Sequence, residues 1–375
     1  MLGPVAAAAL GAGALIARAV TAPPAARSYD LVIRELERDQ GSLVVVLDRT
    51  RQTTARGKYS LLFEQGGSAQ LAEEVAERGP DRVARRVTNL SAALAPSNGD
   101  RVSWSGIYFA TPADAGLVAE DVHLPTPVGS VPAWLIEGDG EGARTWAIHI
   151  HGLGSPRSGP LRGALVAAGL GYTSLVVSYR NDGEGPRTGA GRSMLGASEV
   201  DDVDAALKFA VERGAQRLVL FGWSMGATIA LQLAADPTRR PRVNALVLES
   251  PVLDWIATVK ANCARAGLPA TAGLLSVPWL MLTPLARAIG LPGPIPLRSL
   301  DWIARSRQLE TPTLVLHGTR DDSAPFSVAM ALSERRPDIV QLEEFDAGHT
   351  MTWNSDPDRW QNVVASWLKT QLPDS

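Results

Sequence analysis

Residues 217–226 read RLVLFGWSMG and decide the fold. The apolar first half of this stretch predicts a buried strand, and residues 227–235, which contain no helix breaker, predict a helix. Between strand and helix, Ser224 stands at the apex of a sharp turn with Gly222 and Gly226 on either side. Side chains at these two glycines would collide where the strand and the helix approach each other. We therefore expect a strained turn that projects the Ser224 hydroxyl outward.

Strand-like and helical stretches alternate regularly from about residue 118 onward. This alternation predicts an α/β fold with a mostly parallel, doubly wound sheet and helices on both faces. The predicted strands are 122–125, 131–136, 145–150, 173–178, 217–221, 243–249, 313–317 and 339–345, and the predicted helices are 161–168, 200–213, 227–235, 327–335 and 359–372. Residues 252–308 interrupt the pattern with prolines, glycines and tryptophans. We expect them to form a helical lid over the carboxyl ends of the strands, where ligands bind in this architecture; a purely structural helical excursion is the alternative.

The first 26 residues form an apolar N-terminal segment, without a charge from Leu2 to Ala17. With the side chain of Arg18 reaching toward the interface, the segment is long enough for a membrane anchor or an uncleaved signal-like sequence. We therefore expect the protein to be membrane-associated through residues 2–22. A cleaved signal, which would make the protein secreted, and a buried or disordered apolar tail are the alternatives.

Residues 27–117 are predicted to form a small accessory α+β region before the catalytic domain at 118–375. Strands are expected at 42–47, 59–63 and 102–110. The charged and apolar residues at 71–87 have near-helical spacing, which predicts a helix. The sequence offers no motif here, and docking of a partner or of a second copy of the chain is an open role for this region.

The composition excludes several classes of function. A net charge of −3 over 375 residues gives no electrostatic basis for binding nucleic acid. The single cysteine, Cys263, excludes an internal disulfide and a cysteine-based metal cluster. His149 and His151 have the spacing of a metal pair, but no carboxylate or cysteine completes a site. No phosphate-cradling motif occurs. We therefore expect neither a metal nor a cofactor.

A serine hydroxyl becomes a nucleophile when a base takes its proton, and a histidine oriented by a carboxylate commonly serves as that base. Of the five histidines, only His349 follows the last predicted strand. Gly348 before it suits a tight loop that brings the ring back over the sheet. We expect Ser224 to be the nucleophile and His349 its base. The N–H of Met225, at the start of the following helix, is the first expected donor of an oxyanion hole.

These motifs resemble those of the α/β-hydrolase fold superfamily of serine hydrolases, whose nucleophile lies in a G-x-S-x-G turn. The resemblance covers roughly residues 118–375. Locally, the sequence is similar to those of uncharacterised actinobacterial α/β-hydrolases and of the catalytic domains of prolyl-oligopeptidase-type peptidases. The resemblance implies the chain order serine, acid, histidine. In HGTRDDSAP at 317–325 it places the catalytic acid at Asp321, with Asp322 as the alternative.

The H-G-x pattern of the same superfamily implies that the N–H of Leu153 is the second oxyanion donor. His151 is then a structural residue that shapes the turn. The glycine-rich loop 179–197 follows a predicted strand at the same edge of the sheet. It either lines the pocket, with Arg180 or Asn181 facing the substrate, or is a flexible surface loop.

Together these features predict a serine hydrolase that cleaves a carboxylic ester or a related acyl bond of a small molecule through an acyl-enzyme on Ser224. A serine peptidase or amidase and a thioesterase of the same fold remain open. A non-catalytic binding protein is disfavoured, because all three residues of a triad are present. The substrate pocket is expected between Ser224 and the 252–308 insertion.

Overall fold

The computed structural model describes residues 4–39, 41–91, 94–239 and 242–373, and within this part of the chain the strands form two sheets. The N-terminal sheet is antiparallel throughout. Its strands are β1 (Leu31–Val32), β2 (Glu35–Asp39), β3 (Ser42–Asp48), β4 (Tyr59–Phe63), β5 (Ser68–Leu71), β6 (Ala76–Glu77), β7 (Arg82–Leu90) and β8 (Arg101–Ser105). Their order is β1-β8-β4-β5-β7-β3-β2, with β6 beside β7. The strands predicted at 42–47 and 59–63 are confirmed, and the strand predicted at 102–110 is present but ends at Ser105.

The N-terminal sheet curls until its two edges meet. β1 and β2 lie at opposite edges, yet only two residues separate them in the chain. The N–H of Ile33 donates to the carbonyl of Asp100 (3.0 Å), and the N–H of Arg34 donates to the carbonyl of Val46 (2.9 Å). Apolar side chains from both halves, such as those of Val45 on β3 and Leu61 on β4, fill the interior of this curled sheet. The fold thereby covers the unpaired edges that an open sheet would expose.

The helix predicted at 71–87 is wrong, and with it the α+β class of this region, which consists of strands and a single 3-10 turn at Ala113–Ala115 in its described residues. Gly79 has a positive φ of 75° and Pro80 follows it, so the chain turns there instead of coiling. Arg85, which lies within the predicted helix, is fully buried. Its guanidinium donates to four backbone carbonyls, contacts that only the folded sheet supplies.

The C-terminal sheet is mostly parallel, as predicted. Its strands are β9 (Glu120–Thr126), β10 (Gly129–Ile136), β11 (Thr145–Ile150), β12 (Thr173–Val177), β13 (Arg217–Trp223), β14 (Val243–Glu249), β15 (Thr313–Gly318) and β16 (Val340–Phe345). The order is β16-β15-β14-β13-β11-β12-β10-β9, in which β10 pairs antiparallel with both β9 and β12 and the remaining pairs are parallel. β13, which leads into Ser224, therefore lies near the centre, between β11 and β14. The carboxyl ends of the parallel strands meet at one edge, where the fold places its ligands.

Helices cover both faces of this sheet. The helices of the chain are α1 (Pro4–Val20), α2 (Leu161–Gly169), α3 (Val200–Glu212), α4 (Met225–Ala235), α5 (Trp255–Arg265), α6 (Val277–Met281), α7 (Thr283–Ala288), α8 (Phe326–Arg335), α9 (Thr352–Ser355) and α10 (Pro357–Gln371). The buried apolar side chains of α3, α4 and α8 belong to one core, and those of α2 and α10 belong to the core on the opposite face. This arrangement confirms the predicted doubly wound architecture.

The insertion at 252–308 is built from α5, α6, α7 and short 3-10 turns, as its composition predicted. Helix α1 packs on it. Gly13 lies so close to the insertion that a Cβ there would overlap the carbonyl of Leu275, and Ala17 is fully buried. At the end of α1, the carbonyl of Arg18 accepts a hydrogen bond from the guanidinium of Arg192 (2.7 Å). No helix in the described ranges is long and apolar enough to cross a bilayer, and membrane association through residues 2–22 stays a prediction.

Candidate active site

Ser224 sits in a backbone conformation that non-glycine residues rarely adopt. Its φ is 53° and its ψ is −115°. The flanking glycines make the turn possible: a Cβ on Gly222 would lie 2.6 Å from Cα of Ala227, and a Cβ on Gly226 would overlap the carbonyl oxygen of Ile150. The turn therefore requires glycine at both positions, as the sequence predicted, and it holds the serine at the carboxyl end of β13.

We expect Gly226→Ala to lower the free energy of unfolding by roughly 2–3 kcal/mol, because the backbone of β11 must shift to admit the methyl group. Urea unfolding of the purified variant measures this loss. Gly169→Ala is the matched control, since a Cβ at Gly169 would meet no atom within 4 Å. Equal stability of the Gly226→Ala protein and the wild type would contradict the close packing described here.

Three side chains that are distant in the sequence form one hydrogen-bonded chain. The hydroxyl of Ser224 lies 2.9 Å from Nε2 of His349, and Nδ1 of His349 lies 2.7 Å from Oδ2 of Asp321. Because a carboxylate only accepts, Nδ1 carries the proton, and Nε2 is left free to accept the proton of the serine. The structure thus brings together the three residues that the sequence singled out for nucleophile, base and acid.

Asp321 is held by more than the imidazole of His349. Its Oδ1 accepts the N–H groups of Ser323 (2.9 Å) and Ala324 (2.8 Å), and its Oδ2 also lies 3.2 Å from Nε2 of His317. Burial raises the pKa of Asp321, but the hydrogen bonds and charges of the two histidines outweigh it, so the pKa lies well below its usual value. The carboxyl is therefore ionised throughout the neutral range.

Asp322, the alternative acid, points away from the site. Its side chain is half-exposed and lies 3.9 Å from the guanidinium groups of both Arg51 and Arg265. Exposed pairs at such distances contribute little to stability. The geometry therefore selects Asp321 over Asp322 as the partner of His349.

The loop that carries His349 is fixed by contacts that sequence reasoning missed. Thr350 has a φ of 53°, and its N–H donates to the hydroxyl of Ser250, which itself has a φ of 46°. Just before Ser250, the buried carboxylate of Glu249 accepts the indole N–H of Trp223 (3.0 Å) and the N–H of Thr352 (3.2 Å). These bonds tie the histidine loop to the strand of the nucleophile. Only the position of Glu249 at the carboxyl end of a predicted strand could have indicated this role.

The two predicted oxyanion donors flank the serine. Gly152 packs against it: a Cβ there would lie 3.0 Å from Cβ of Ser224, which places the start of the 152–154 loop beside the nucleophile. Neither the N–H of Leu153 nor that of Met225 donates a hydrogen bond to the described part of the chain. Both are therefore free to donate to a substrate oxygen, although their role as an oxyanion hole stays a prediction.

A buried cluster below this loop supports it. His151 is fully buried, and its Nε2 donates to Asp182 (3.0 Å). The hydroxyl of Tyr179 donates to the carbonyls of His151 (3.0 Å) and Gly152 (3.1 Å). Burial raises the pKa of Asp182, but the hydrogen bond and charge of His151, together with backbone N–H donors, outweigh it and lower the pKa to about 2. The prediction that His151 shapes this turn agrees with these contacts.

Loop 179–197 is ordered by its own hydrogen bonds. The guanidinium of Arg180 donates two hydrogen bonds to Asp202 on α3 (2.8 and 2.7 Å), and the side chain of Asn181 donates to Thr188 within the loop. Neither residue lines the pocket at Ser224. Of the two readings of this loop, the one with Arg180 or Asn181 facing the substrate is therefore wrong, and the alternative of a flexible loop does not fit its many bonds.

A cavity of about 270 Å³ opens over Ser224 and His349. The loop 152–156 and Met351 line one part of it. Trp104 and Ile107 of the N-terminal region, together with Arg27 from the segment before β1, line the other part, and no residue of the insertion takes part. The pocket was expected beneath the insertion. The structure places it against the N-terminal region instead, because that region docks on the loop following His349.

Within the described ranges, no cluster of three or more His, Cys, Asp or Glu side chains could hold a metal ion. His149, half of the metal-like pair in the sequence, is fully buried and bonds to the hydroxyl of Ser174 (3.0 Å). Burial lowers the pKa of His149 to about 3. Cys263 is buried, and burial raises the pKa of its thiol, which makes it a poor nucleophile.

Comparisons with known proteins cover both the N-terminal region and the α/β domain. A model described as a domain of unknown function, DUF8805, matches residues 32–105, which span the N-terminal sheet. None of the curated proteins matches the chain. Among solved structures, the Pyrococcus furiosus esterase Pf2001 superposes with a TM-score of 0.54 at 20% identity, over 70% of this chain and 94% of its own. At that identity the likeness shows the fold alone.

Two further solved structures are similar at a lower level. An esterase from Thermogutta terrifontis has a TM-score of 0.46 at 20% identity, over 68% of this chain and 99% of its own. The serine hydrolase XC6422 from Xanthomonas campestris has a TM-score of 0.47 at 17% identity, over 68% of this chain and 96% of its own. The model of the alpha/beta hydrolase family matches residues 147–361, which is more than half of the chain. The chain therefore belongs to the alpha/beta hydrolase family.

Proposed function

We propose that this hydrolase is a serine esterase, which cleaves a carboxylic ester of a small molecule through an acyl-enzyme on Ser224. The observation that carries the proposal is the hydrogen-bonded chain from Ser224 through His349 to Asp321 at a pocket floor. The P. furiosus relative is itself called an esterase, which agrees with this chemistry.

Each of these groups has a defined role in the proposed reaction. The hydroxyl of Ser224 attacks the ester carbonyl while Nε2 of His349 takes its proton, and Asp321 stabilises the imidazolium that forms. The N–H groups of Leu153 and Met225 donate to the oxygen of the tetrahedral intermediate. His349 then gives its proton to the departing alcohol. A water molecule, deprotonated by the same imidazole, attacks the acyl group and releases the acid with the free serine.

The shape of the pocket favours a small ester over a peptide. Its volume of about 270 Å³ lies slightly below the range of small-molecule sites, which span roughly 300–1,000 Å³. A peptidase needs an extended cleft for several residues of its substrate. Peptidase, amidase and thioesterase activities of the same fold therefore remain secondary to ester cleavage.

A substrate panel tests this choice. We expect kcat/KM to be highest for para-nitrophenyl esters, and at least about tenfold lower for acyl thioesters and peptide para-nitroanilides, because a pocket of about 270 Å³ is small for a longer chain on both sides of the carbonyl. Initial rates with each substrate at equal ionic strength provide the measurement. Faster cleavage of a peptide anilide than of any ester would overturn the esterase assignment.

A further inference from the structure

The N-terminal β-region forms one wall of the catalytic pocket. Trp104, at the end of β8, is half-buried, and its ring lies against Tyr59 with centroids 4.8 Å apart. Ile107 and Arg27 also line the cavity. The region matched only by a domain of unknown function thus reaches the substrate space directly.

This wall is held in a fixed position relative to the catalytic histidine. Asn354, fully buried and five residues after His349, donates its amide to the carbonyls of Lys58 and Gly106, at 2.6 and 2.9 Å. Its own carbonyl accepts the N–H of Lys58 (2.9 Å), and its side-chain oxygen accepts the guanidinium of Arg162 (2.9 Å). One buried residue therefore joins the β-region, the histidine loop and α2.

The charges of the cavity are unbalanced. Arg27 is exposed at the cavity and makes no hydrogen bond or ion pair with the described part of the chain. Arg162, the other cation of the lining, lies 3.4 Å from the carboxylate of Glu249 and is thereby compensated. Among the described residues, no aspartate or glutamate lines this cavity. Arg27 is thus an available cation in a pocket that offers no competing anion.

A second cavity of about 350 Å³ continues outward from the first and shares Arg27, Trp104 and Gly154 with it. Asp30 lines only this outer cavity. A negative group that extended far into the outer cavity would meet this carboxylate. The favourable position for an anion is therefore the junction of the two cavities, beside Arg27.

We propose that the N-terminal β-region is the specificity element of this enzyme, and that Arg27 binds a carboxylate of the substrate, with Trp104 packing against its apolar part. The inference rests on the proposed ester hydrolysis at Ser224 and specifies its substrate class: esters that carry an anionic group a short distance from the scissile carbonyl. A guanidinium matches a carboxylate in shape and charge, which makes arginine suited to this recognition.

The test compares substrates that differ in one terminal group. Para-nitrophenyl heptanoate ends in a methyl group, and the mono-para-nitrophenyl ester of pimelic acid carries a carboxylate there. A second pair, phenyl heptanoate and para-carboxyphenyl heptanoate, places the charge on the alcohol side. For each pair, the ratio of kcat/KM for the charged and the neutral ester is measured.

We expect Arg27→Ala to lower this ratio about tenfold in one of the pairs, since a charge-assisted hydrogen bond is lost at a partly solvated site. Arg27→Glu should lower it further, and rising salt should weaken the preference of the wild type. Arg38→Ala is the matched control: Arg38 lies exposed on β2 and lines neither cavity. An unchanged ratio for both pairs in Arg27→Ala would overturn the proposal.

A binding measurement separates this inference from the proposed function. Calorimetry with Ser224→Ala protein and the free acids heptanoate and pimelate reports charge preference without turnover. Tighter binding of pimelate than of heptanoate to the Ser224→Ala protein would support the anion site even if no ester were cleaved, provided that the difference disappears in the Ser224→Ala/Arg27→Ala double variant. Ester cleavage without any dependence of the charge preference on Arg27 would leave the hydrolase intact and remove the anion site.

Discussion

Replacing Ser224 with alanine is expected to lower kcat/KM for ester hydrolysis by at least about 10³-fold. Within the described part of the chain, the hydroxyl of Ser224 is the only side-chain group within hydrogen-bonding distance of Nε2 of His349, at 2.9 Å. No other side chain is therefore placed to transfer a proton to this imidazole and act as the nucleophile. The residual rate would come from substrate binding and from the oxyanion donors, which the substitution leaves in place.

Steady-state kinetics on the purified Ser224→Ala protein provide the measurement, and thermal unfolding confirms that the variant is folded. Ser366→Ala is the matched control, because Ser366 is an exposed residue on α10, remote from the pocket. It should retain wild-type activity. A Ser224→Ala protein with activity within about tenfold of the wild type would show that this hydroxyl is not the nucleophile.

The second large effect on activity is expected on substitution of Asp321, the catalytic acid. Asp321→Asn should lower kcat by about 10⁴-fold, the size seen when a triad carboxylate becomes an amide. The surroundings fix the orientation of the new amide: its oxygen must accept the N–H groups of Ser323 and Ala324, so its NH₂ group faces His349. Nδ1 of His349 then becomes an acceptor, and Nε2 carries the proton and can no longer take one from the serine.

Asp322→Asn is the matched control for this variant, since it removes a neighbouring carboxylate that bears only distant ion pairs. We expect its kcat to stay within about twofold of the wild type. Comparable losses in the two variants, or a larger loss in Asp322→Asn, would contradict the assignment of the acid.

Local patterns were sufficient for the catalytic domain. Its strands are apolar runs bounded by glycine or proline, and its helices have a regular spacing of apolar residues. Both kinds of element can therefore be recognised from a short stretch of sequence. The turn at Ser224 was predictable because glycine at Gly222 and Gly226 has one physical explanation there, the close approach of a strand and a helix. His349 followed from its place after the last strand.

The N-terminal region was harder to predict because its structure depends on contacts between distant residues. The spacing around Arg85 predicts a helix, and the local sequence does not indicate that its guanidinium donates to the distant carbonyls of Thr53 and Gly57. The same reason explains why the pocket wall was missed. Trp104 lines the cavity, and Asn354, about 250 positions later in the chain, helps to hold the two regions together.

Labelling with a fluorophosphonate tests the central claim most directly, because this reagent reacts with a serine only when a neighbouring base activates it. Intact-mass spectrometry and peptide mapping of the treated protein should show one equivalent bound, located on Ser224, with activity lost in proportion to the label. The same treatment of His349→Ala should label far more slowly. An unlabelled Ser224 in protein that hydrolyses esters, or full activity after its complete modification, would contradict the account.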